Sequence, residues 1–150
     1  MVRTWTAGAL ALALLAGCEG GAETLTHSVL SVCLRVEQPT ERVFRTAEEW
    51  RAFADPVARG PVPAPDFGQV MVAAHFDGTG SACVGFTVES VEESGGEVVV
   101  EATRHTSPDP CIAVLAYPQL VLTIERRDLP VRFRIRDVMD RVPGATPPCT

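Results

Sequence analysis

Alternating hydrophobic and polar residues dominate the second half of the chain. Every second residue is apolar in four segments: 70–76, 84–88, 98–102 and 120–124. The cleanest alternation follows them, where Val131, Phe133 and Ile135 are separated by three arginines, Arg132, Arg134 and Arg136. A period of two places successive side chains on opposite faces of a β-strand. The pattern therefore predicts five strands, each with one face in a core.

Turn signals and a shorter apolar run complete the strand prediction. The segment 92–96 ends in Gly-Gly and is typical of a hairpin turn. Residues 106–110 contain two prolines and break the chain, and Arg127-Asp128 begins a tight turn. Nearer the N-terminus, residues 29–36 are predicted as the first strand and 42–45 as a short second one.

One short amphipathic helix is predicted over residues 46–55. The sequence Thr46-Ala47-Glu48-Glu49 is a capping box, in which the threonine hydroxyl accepts from the third helical N–H and the glutamate reaches back to the cap. Pro56 ends the helix. Trp50 lies on its apolar side and is expected to pack in the core, with stacking on a ligand as the alternative.

Together these elements predict a β-rich α+β domain, an antiparallel sheet or sandwich of six or seven strands with the helix 46–55. It spans residues 28–140. The proline-containing stretch 56–66 is expected to cross the surface in extended conformation, and residues 141–150 form a Pro-rich tail. A chain of 150 residues suits one such domain with a core of its own.

Composition and charge exclude several classes of protein. A hydrophobic content of 46% is too high for a disordered chain. The formal net charge is −6, which gives no electrostatic attraction for DNA or RNA, since phosphate neutralisation supplies most of that affinity. No apolar run is long enough to span a membrane. We therefore expect neither a nucleic-acid partner nor a membrane-spanning helix.

The first 17 residues have the features of a lipoprotein signal peptide. Arg3 precedes the ten-residue apolar segment 7–16, which is too short to span a bilayer. The sequence Leu15-Ala16-Gly17-Cys18 resembles the bacterial lipobox, so Cys18 is predicted to carry the lipid, including palmitate, and to become the N-terminus. An ordinary secreted protein is the alternative. Residues 18–27 are predicted as a polar tether. The expected location is the bacterial cell envelope, lipid-anchored, in the outer membrane if the cell is Gram-negative.

The four remaining cysteines are an even set in an exported domain, where disulfides form and persist. They allow three connectivities. We favour Cys83–Cys111 with Cys33–Cys149, because the second bond ties the Pro-rich tail to the first predicted strand. The alternative is a thiol enzyme or a metal site. There is no C-x-x-C, and the spacing of His105 from Cys111 matches no common zinc site, so no metal ligand is predicted.

A Gly-rich loop, 77–82, is the first candidate for binding, through Gly78, Thr79, Gly80 and Ser81. Such loops cradle anions or present open backbone to a partner. Phosphate-binding motifs need a following helix, whereas a strand follows here. A plain connection between strands is the alternative interpretation. A bond at Cys83 would hold one end of the loop and lower the ordering cost of binding.

The arginines at 132, 134 and 136 form a positive stripe, to which Arg126 and Arg127 are expected to contribute. Such a stripe suits an acidic partner or lipid headgroups. We favour the alternative, pairing across strands with Glu97 or Glu101. His27, His75 and His105 have no Ser or Cys beside them in local sequence. We therefore predict no catalytic residues and no cofactor.

Residues 44–135 resemble the C-terminal domain family of PrcB, a subunit of a surface protease complex. The resemblance rests on five motifs in order: Phe44 before the helix with Trp50, Pro65-Asp66-Phe67 leading into 70–74, the Gly-rich segment leading into Gly85-Phe86-Thr87-Val88, Tyr117-Pro118 before 121–124, and Val131-Arg132-Phe133. The family implies an accessory role beside other envelope proteins, a protease among them. Where the family often has Thr-Gly-Gly-Tyr, this chain has Gly80-Ser81-Ala82-Cys83 followed by Phe86.

The sequence thus predicts a non-enzymatic envelope lipoprotein that binds another envelope protein. Two alternatives stay open. Gly78-Thr79-Gly80 and Phe86 also resemble the loop of chagasin-like cysteine-peptidase inhibitors, although the Asn-Pro start of that loop is missing. A hydrolase is the third possibility.

Overall fold

Ten strands and one helix make up the described part of the chain, which in this computed structural model comprises residues 21–109, 114–141 and 149. The strands are β1 Glu23–Thr24, β2 His27–Val29, β3 Thr40–Phe44, β4 Val70–Phe76, β5 Gly80–Ser81, β6 Val84–Ser94, β7 Glu97–Thr106, β8 Leu115–Ala116, β9 Gln119–Glu125 and β10 Val131–Val138, and the helix α1 is Ala47–Ala54. The predictions for the leader, Cys18, Cys111 and most of the tail lie outside these residues.

The longer strands form two four-stranded sheets that face each other. The front sheet has the order β1-β6-β7-β10 and the back sheet the order β2-β9-β4-β3, while β5 and β8 form a separate pair. The predicted β-rich class, a sandwich-like fold with one short helix, is confirmed. Six strands have five or more residues, which agrees with the predicted six or seven, and the other four have two or three residues.

A hydrophobic core fills the space between the sheets. Alternate residues of β4, β6, β7, β9 and β10 contribute to it, as the period of two requires. Its buried members include Met71, Ala73, Phe86, Val98, Val100, Leu120, Leu122, Ile124 and Phe133. The two sheets therefore bury their inner faces against each other.

A second core covers the outer face of the back sheet. Trp50 of α1 is fully buried there, against Phe44, with the ring centroids 5.2 Å apart. Its indole N–H donates to the Pro63 carbonyl at 2.8 Å, so the crossover 56–66 also packs on this face. The back sheet is thus covered on both sides by the chain itself.

The helix is capped as predicted, with one difference. The Thr46 hydroxyl accepts from the Glu49 N–H at 3.2 Å. The Glu49 carboxylate, however, accepts from the Arg45 N–H at 3.0 Å, one residue before the cap. This hydrogen bond is the largest of the causes that lower the pKa of Glu49. The helix ends at Ala54, within a residue of the prediction.

The ordered domain begins earlier than the tether prediction 18–27 allowed. Strand β1 pairs with β6 and strand β2 with β9, and Leu25 between them is buried in the core. The predicted first strand, 29–36, is also wrong beyond Val29. Leu34 instead forms an isolated bridge to Ala58 and is fully buried under the second core. The conformation of both segments is set by contacts with distant parts of the chain, which local alternation does not show.

One pair of strands departs from the antiparallel prediction. Strand β10 pairs with β7 in parallel, from Val131 opposite Val98 to Val138 opposite His105. Parallel neighbours need a crossover connection. Here the chain makes it by passing through β9 of the back sheet before it returns as β10.

The predicted disulfide between Cys33 and Cys149 is confirmed, with the Cα atoms 5.0 Å apart. Cys149 also pairs with Tyr117 through backbone hydrogen bonds. Cys83 is disulfide-bonded as well, and its predicted partner, Cys111, is outside the described residues. The first bond joins positions 116 residues apart and fastens the end of the chain to the second core.

Replacing both Cys33 and Cys149 with alanine should lower the free energy of unfolding by about 2–5 kcal/mol, because the unfolded chain loses a very long covalent loop. Urea unfolding of the oxidised protein measures this. Reducing the wild type should lower its midpoint at least as far, since reduction also opens the bond at Cys83. A double variant with the wild-type midpoint would contradict the structural role of this bond.

Candidate binding surface

The Gly-rich loop is held against its surroundings rather than open. Gly78 has φ +81° and is buried, and a Cβ there would lie 2.8 Å from the Glu37 carbonyl oxygen. The Thr79 N–H donates to that same oxygen at 3.2 Å. Gly80 and Ser81 form β5 and pair with β8. The expectation of an open backbone is therefore wrong, and only the outward surface of Thr79, Gly80 and Ser81 is exposed.

The arginine stripe on β10 is paired largely as the favoured interpretation predicted. Arg132 lies 3.0 Å from Glu97, and Arg134 lies 3.4 Å from Glu101, both on the neighbouring strand β7. Arg136 instead donates to the Thr103 hydroxyl at 3.3 Å. No carboxylate of the described chain forms an ion pair with Arg136.

Arg126 and Arg127 do not belong to the stripe. Arg126 donates to the Phe67 carbonyl at 2.6 Å. Arg127 is surrounded by three carboxylates: Glu23 at 3.2 Å, Glu93 at 2.8 Å and Glu125 at 2.8 Å. These contacts raise the pKa of Arg127 and join β1 to both sheets, so both side chains hold the fold together.

Two adjoining cavities open on the outer face of the front sheet, which we call the front face. The larger, of about 370 Å³, is lined by Glu89, Thr103, Arg136 and the pair Glu101–Arg134. The smaller, of about 230 Å³, shares that ion pair and continues past Glu97 to the Gly95 turn. The pair is half exposed on both sides and is therefore weak. The front face thus carries a groove with charges of both signs.

A chain of polar side chains leads into the larger cavity. The His105 Nδ1 lies 2.7 Å from Asp140, and its Nε2 lies 2.8 Å from the Thr87 hydroxyl. Glu89 accepts from Thr87 at 3.4 Å and from Thr103 at 2.9 Å. These hydrogen bonds could not be predicted from the sequence, because only the β6–β7 pairing and the end of β10 bring the side chains together.

The hydrogen-bonded side chains of Asp140, His105 and Thr87 are arranged like the carboxylate, imidazole and hydroxyl of a catalytic triad. One feature opposes nucleophilic chemistry there. The Glu89 carboxylate lies within hydrogen-bond distance of the same hydroxyl and would repel a developing oxyanion. The arrangement suits a hydrogen-bonded support for the groove.

A second histidine joins the two sheets at one end of the core. The two ring nitrogens of His75 lie 3.0 Å from Glu41 and 3.1 Å from Asp77. Arg104 of the front sheet donates to Asp77 at 2.6 Å and reaches Asp137 at 3.3 Å. Both ring nitrogens of His75 thus face carboxylates, and neither is left to act as a base on a substrate.

Burial and hydrogen bonding act on this cluster in opposite directions. Burial lowers the pKa of His75, but the hydrogen bonds to Asp77 and Glu41 outweigh it, and the net pKa is raised. For Asp77, burial raises the pKa, while the hydrogen bond from His75 and the charge of Arg104 bring the net pKa below its usual value. The charged forms of both groups are therefore favoured by folding.

The raised pKa of His75 predicts a loss of stability as the pH increases. A histidine with a raised folded pKa contributes stability that is full below its unfolded pKa and lost as the pH rises through the folded value. The free energy of unfolding should therefore decrease more steeply from about pH 6 to pH 8 in the wild type than in His75→Gln. Glu41→Gln should give an intermediate slope. Equal slopes in all three proteins, measured by urea unfolding, would refute the role of this cluster.

No three His, Cys, Asp or Glu side chains come together as a metal site within the described residues. The same part of the chain contains no helix long and apolar enough to cross a membrane. No family model, curated protein or solved structure matches this chain. The resemblance to the PrcB family accordingly stays a prediction.

Proposed function

We propose that this protein is a non-enzymatic, lipid-anchored domain of the bacterial cell envelope that holds another envelope protein on its front face. The observation that carries the proposal is the unequal covering of the two sheets. The helix and the crossover cover the outer face of the back sheet, whereas in the described chain no helix or strand covers the front face. A face that the described residues leave open is available to a partner.

The chemistry of the front face favours a protein as that partner. The groove is lined by Glu89, Glu101, Arg134 and Arg136. Small-molecule pockets are instead lined mainly by apolar and aromatic side chains. Charges of both signs along a groove suit a polypeptide, since complementary charges fix register and reject wrong partners. The net charge of −6 argues against nucleic acid.

The two alternatives have less support. A hydrolase would rely on Thr87, whose hydroxyl lies within 3.4 Å of the Glu89 carboxylate. A chagasin-like inhibitor would present the Gly-rich loop to a peptidase, but the backbone from Thr79 to Ser81 is already hydrogen-bonded to Glu37 and to β8. The binding role needs neither a nucleophile nor a free loop.

The lipobox sequence ending at Cys18 supports anchoring of this domain to the membrane. The PrcB resemblance supports an accessory role, with a surface protease among the candidate partners. In this account the lipid keeps the domain beside its partner at the membrane, which raises the effective concentration of the pair.

The test of binding is charge reversal on the front face. The variant Arg134→Glu/Arg136→Glu should lose its partners when the lipidated protein is cross-linked and purified from its native envelope. The matched control is Arg51→Glu/Arg59→Glu, which changes the net charge equally at exposed positions outside the front face. We expect the control to retain the wild-type partners. Equal capture by both variants, each with the wild-type unfolding midpoint, would refute the proposal.

A further inference from the structure

We propose that the outer edge of β10, which no described strand covers, takes up an extended segment of the partner as a fifth strand of the front sheet, and that this segment carries acidic residues at alternate positions. The inference rests on the proposed function, because it names how the front face would engage a protein. It is carried by the backbone of β10, by the pattern of its side chains and by their charges.

The edge of β10 has the geometry that strand addition needs. In the described chain β10 is the last strand of the front sheet, and its eight residues pair with β7 without a register shift. The strand contains no proline, and Pro130 lies directly before its first residue. An edge strand of this kind presents a row of N–H and C=O groups to a further strand.

The other sheet edges are less suited to the addition of a strand. Strand β1 has two residues, β2 has three and β3 has five, and β3 leads within three residues into α1. The part of β6 that β1 leaves uncovered, 84–91, is interrupted by a bulge between Val88 and Ser90. Natural proteins protect edges by keeping them short, by bulges, by proline or by charged side chains. Of the edges that the structure describes, β10 is the longest, and its protection is charge alone, in the sequence Val-Arg-Phe-Arg-Ile-Arg-Asp-Val. Its arginines repel a basic strand and attract an acidic one.

The side chains of β10 specify the partner strand. Val131, Phe133 and Ile135 face the core, and the intervening arginines point outward with exposed side chains. A strand added beside β10 would lie about 4.8 Å away with its side chains on the same two faces. It would need apolar residues toward the core and anionic residues on the front face. Arg136 has no carboxylate partner among the described residues, so the residue of the added strand opposite Arg136 should be acidic.

The arginines already paired with β7 can accept a second acid. Arg132 and Arg134 each have an exposed fraction above one half, at 59% and 56%, while contacting Glu97 and Glu101. A guanidinium carries five N–H donors and forms bidentate pairs. Each arginine would then lie between a glutamate of β7 and an acidic residue of the added strand.

A second copy of this chain is a poor occupant of the same edge. Two β10 strands related by a two-fold axis would pair antiparallel. The even-numbered residues all face outward, so every register that keeps the apolar faces together and pairs at least four residues of β10 sets arginine opposite arginine. Like charges directly opposite are destabilising. The edge therefore favours a different, acidic strand over self-association.

The test uses the lipidated full-length protein in detergent and synthetic peptides of alternating Glu and Val, blocked at both ends. We expect the acidic peptide to bind with a Kd below about 1 mM, which is a binding free energy of about −4 kcal/mol. The matched peptide with Lys for Glu should bind at least tenfold more weakly. Arg134→Glu/Arg136→Glu should also bind the acidic peptide at least tenfold more weakly.

Two backbone-methylated acidic peptides separate strand addition from simple charge attraction. One is N-methylated at the Glu residues and the other at the Val residues, with unchanged charge. A strand added at one edge uses the N–H groups of alternate residues only. One methylated peptide should therefore bind like the parent and the other should fail, and the parent should slow amide exchange in β10.

Four results would overturn the inference: no acidic-peptide binding at about 1 mM, equal binding of the two methylated peptides, unchanged amide exchange in β10, or a wild-type dimer protected at β10. The proposed function is judged separately. If the envelope partner still depends on Arg134 and Arg136 while the methylated peptides bind equally, the front face binds a partner but β10 adds no strand.

Discussion

Replacing Cys18 with alanine should abolish the lipid anchor completely and leave the protein as an uncleaved precursor. Only a thiol at this position can be alkylated by the diacylglyceryl group, and cleavage of the leader follows that step. Each buried CH₂ of an acyl chain contributes about 0.8 kcal/mol to membrane binding, so two or three chains together give firm anchoring. No other change of one residue should have so large an effect on where the protein is found.

Mass spectrometry of the N-terminal peptide measures the result directly. The wild type should begin at Cys18 with the added acyl mass, and Cys18→Ala should begin before Cys18 without it. Glu19→Ala, which leaves the lipobox intact, is the matched control and should be lipidated like the wild type. A wild-type peptide that lacks lipid would contradict the proposed location.

Replacing Trp50 with alanine should lower the free energy of unfolding by about 3–5 kcal/mol. Trp50 is fully buried between Phe44 and the crossover, and its N–H donates to Pro63. The substitution creates a cavity and leaves the Pro63 carbonyl without its donor. Because small domains are stable by only about 5–15 kcal/mol, this loss brings the fold close to unfolding.

Urea unfolding followed by circular dichroism measures the effect of Trp50→Ala. Arg51→Ala, at an exposed position of the same helix, should stay within about 0.5 kcal/mol of the wild type. If Trp50→Ala has nearly wild-type stability, the core role is wrong and the alternative role, stacking on a ligand, gains support.

The features predicted correctly from the sequence are those set by neighbouring residues. A period of two located the strands β4, β9 and β10, although β4 and β9 are buried on both faces rather than on one. The turn at Gly95 and Gly96, with φ values of +61° and +80°, depends on residues that tolerate positive φ. The cap at Thr46 also needs only local chemistry. Two long-range contacts could also be predicted. The Cys33–Cys149 bond was within reach because few cysteines were available to pair, and the pairing of Arg132 and Arg134 with glutamates of β7 followed from opposite charge.

The features that were missed depend on contacts between distant parts of the chain. The parallel pairing of β10 with β7 cannot be read from alternation, which is the same in either direction. Leu25 is an isolated apolar residue among polar ones, yet it is buried between the sheets. The hydrogen-bonded chain from Asp140 through His105 to Thr87 depends on strand order. The front face could therefore be found only once the sheets were assembled.

The central claim, that the front face holds an envelope protein, is tested most directly by site-specific photo-cross-linking in intact cells. A photoreactive residue placed at position 94 lies beside the smaller cavity of the front face and leaves the arginines in place, and one placed at position 51 lies on the exposed side of α1. Our account predicts a discrete cross-linked partner from position 94 and none from position 51. Cross-linking from position 51 alone, or the same product from both positions, would contradict it.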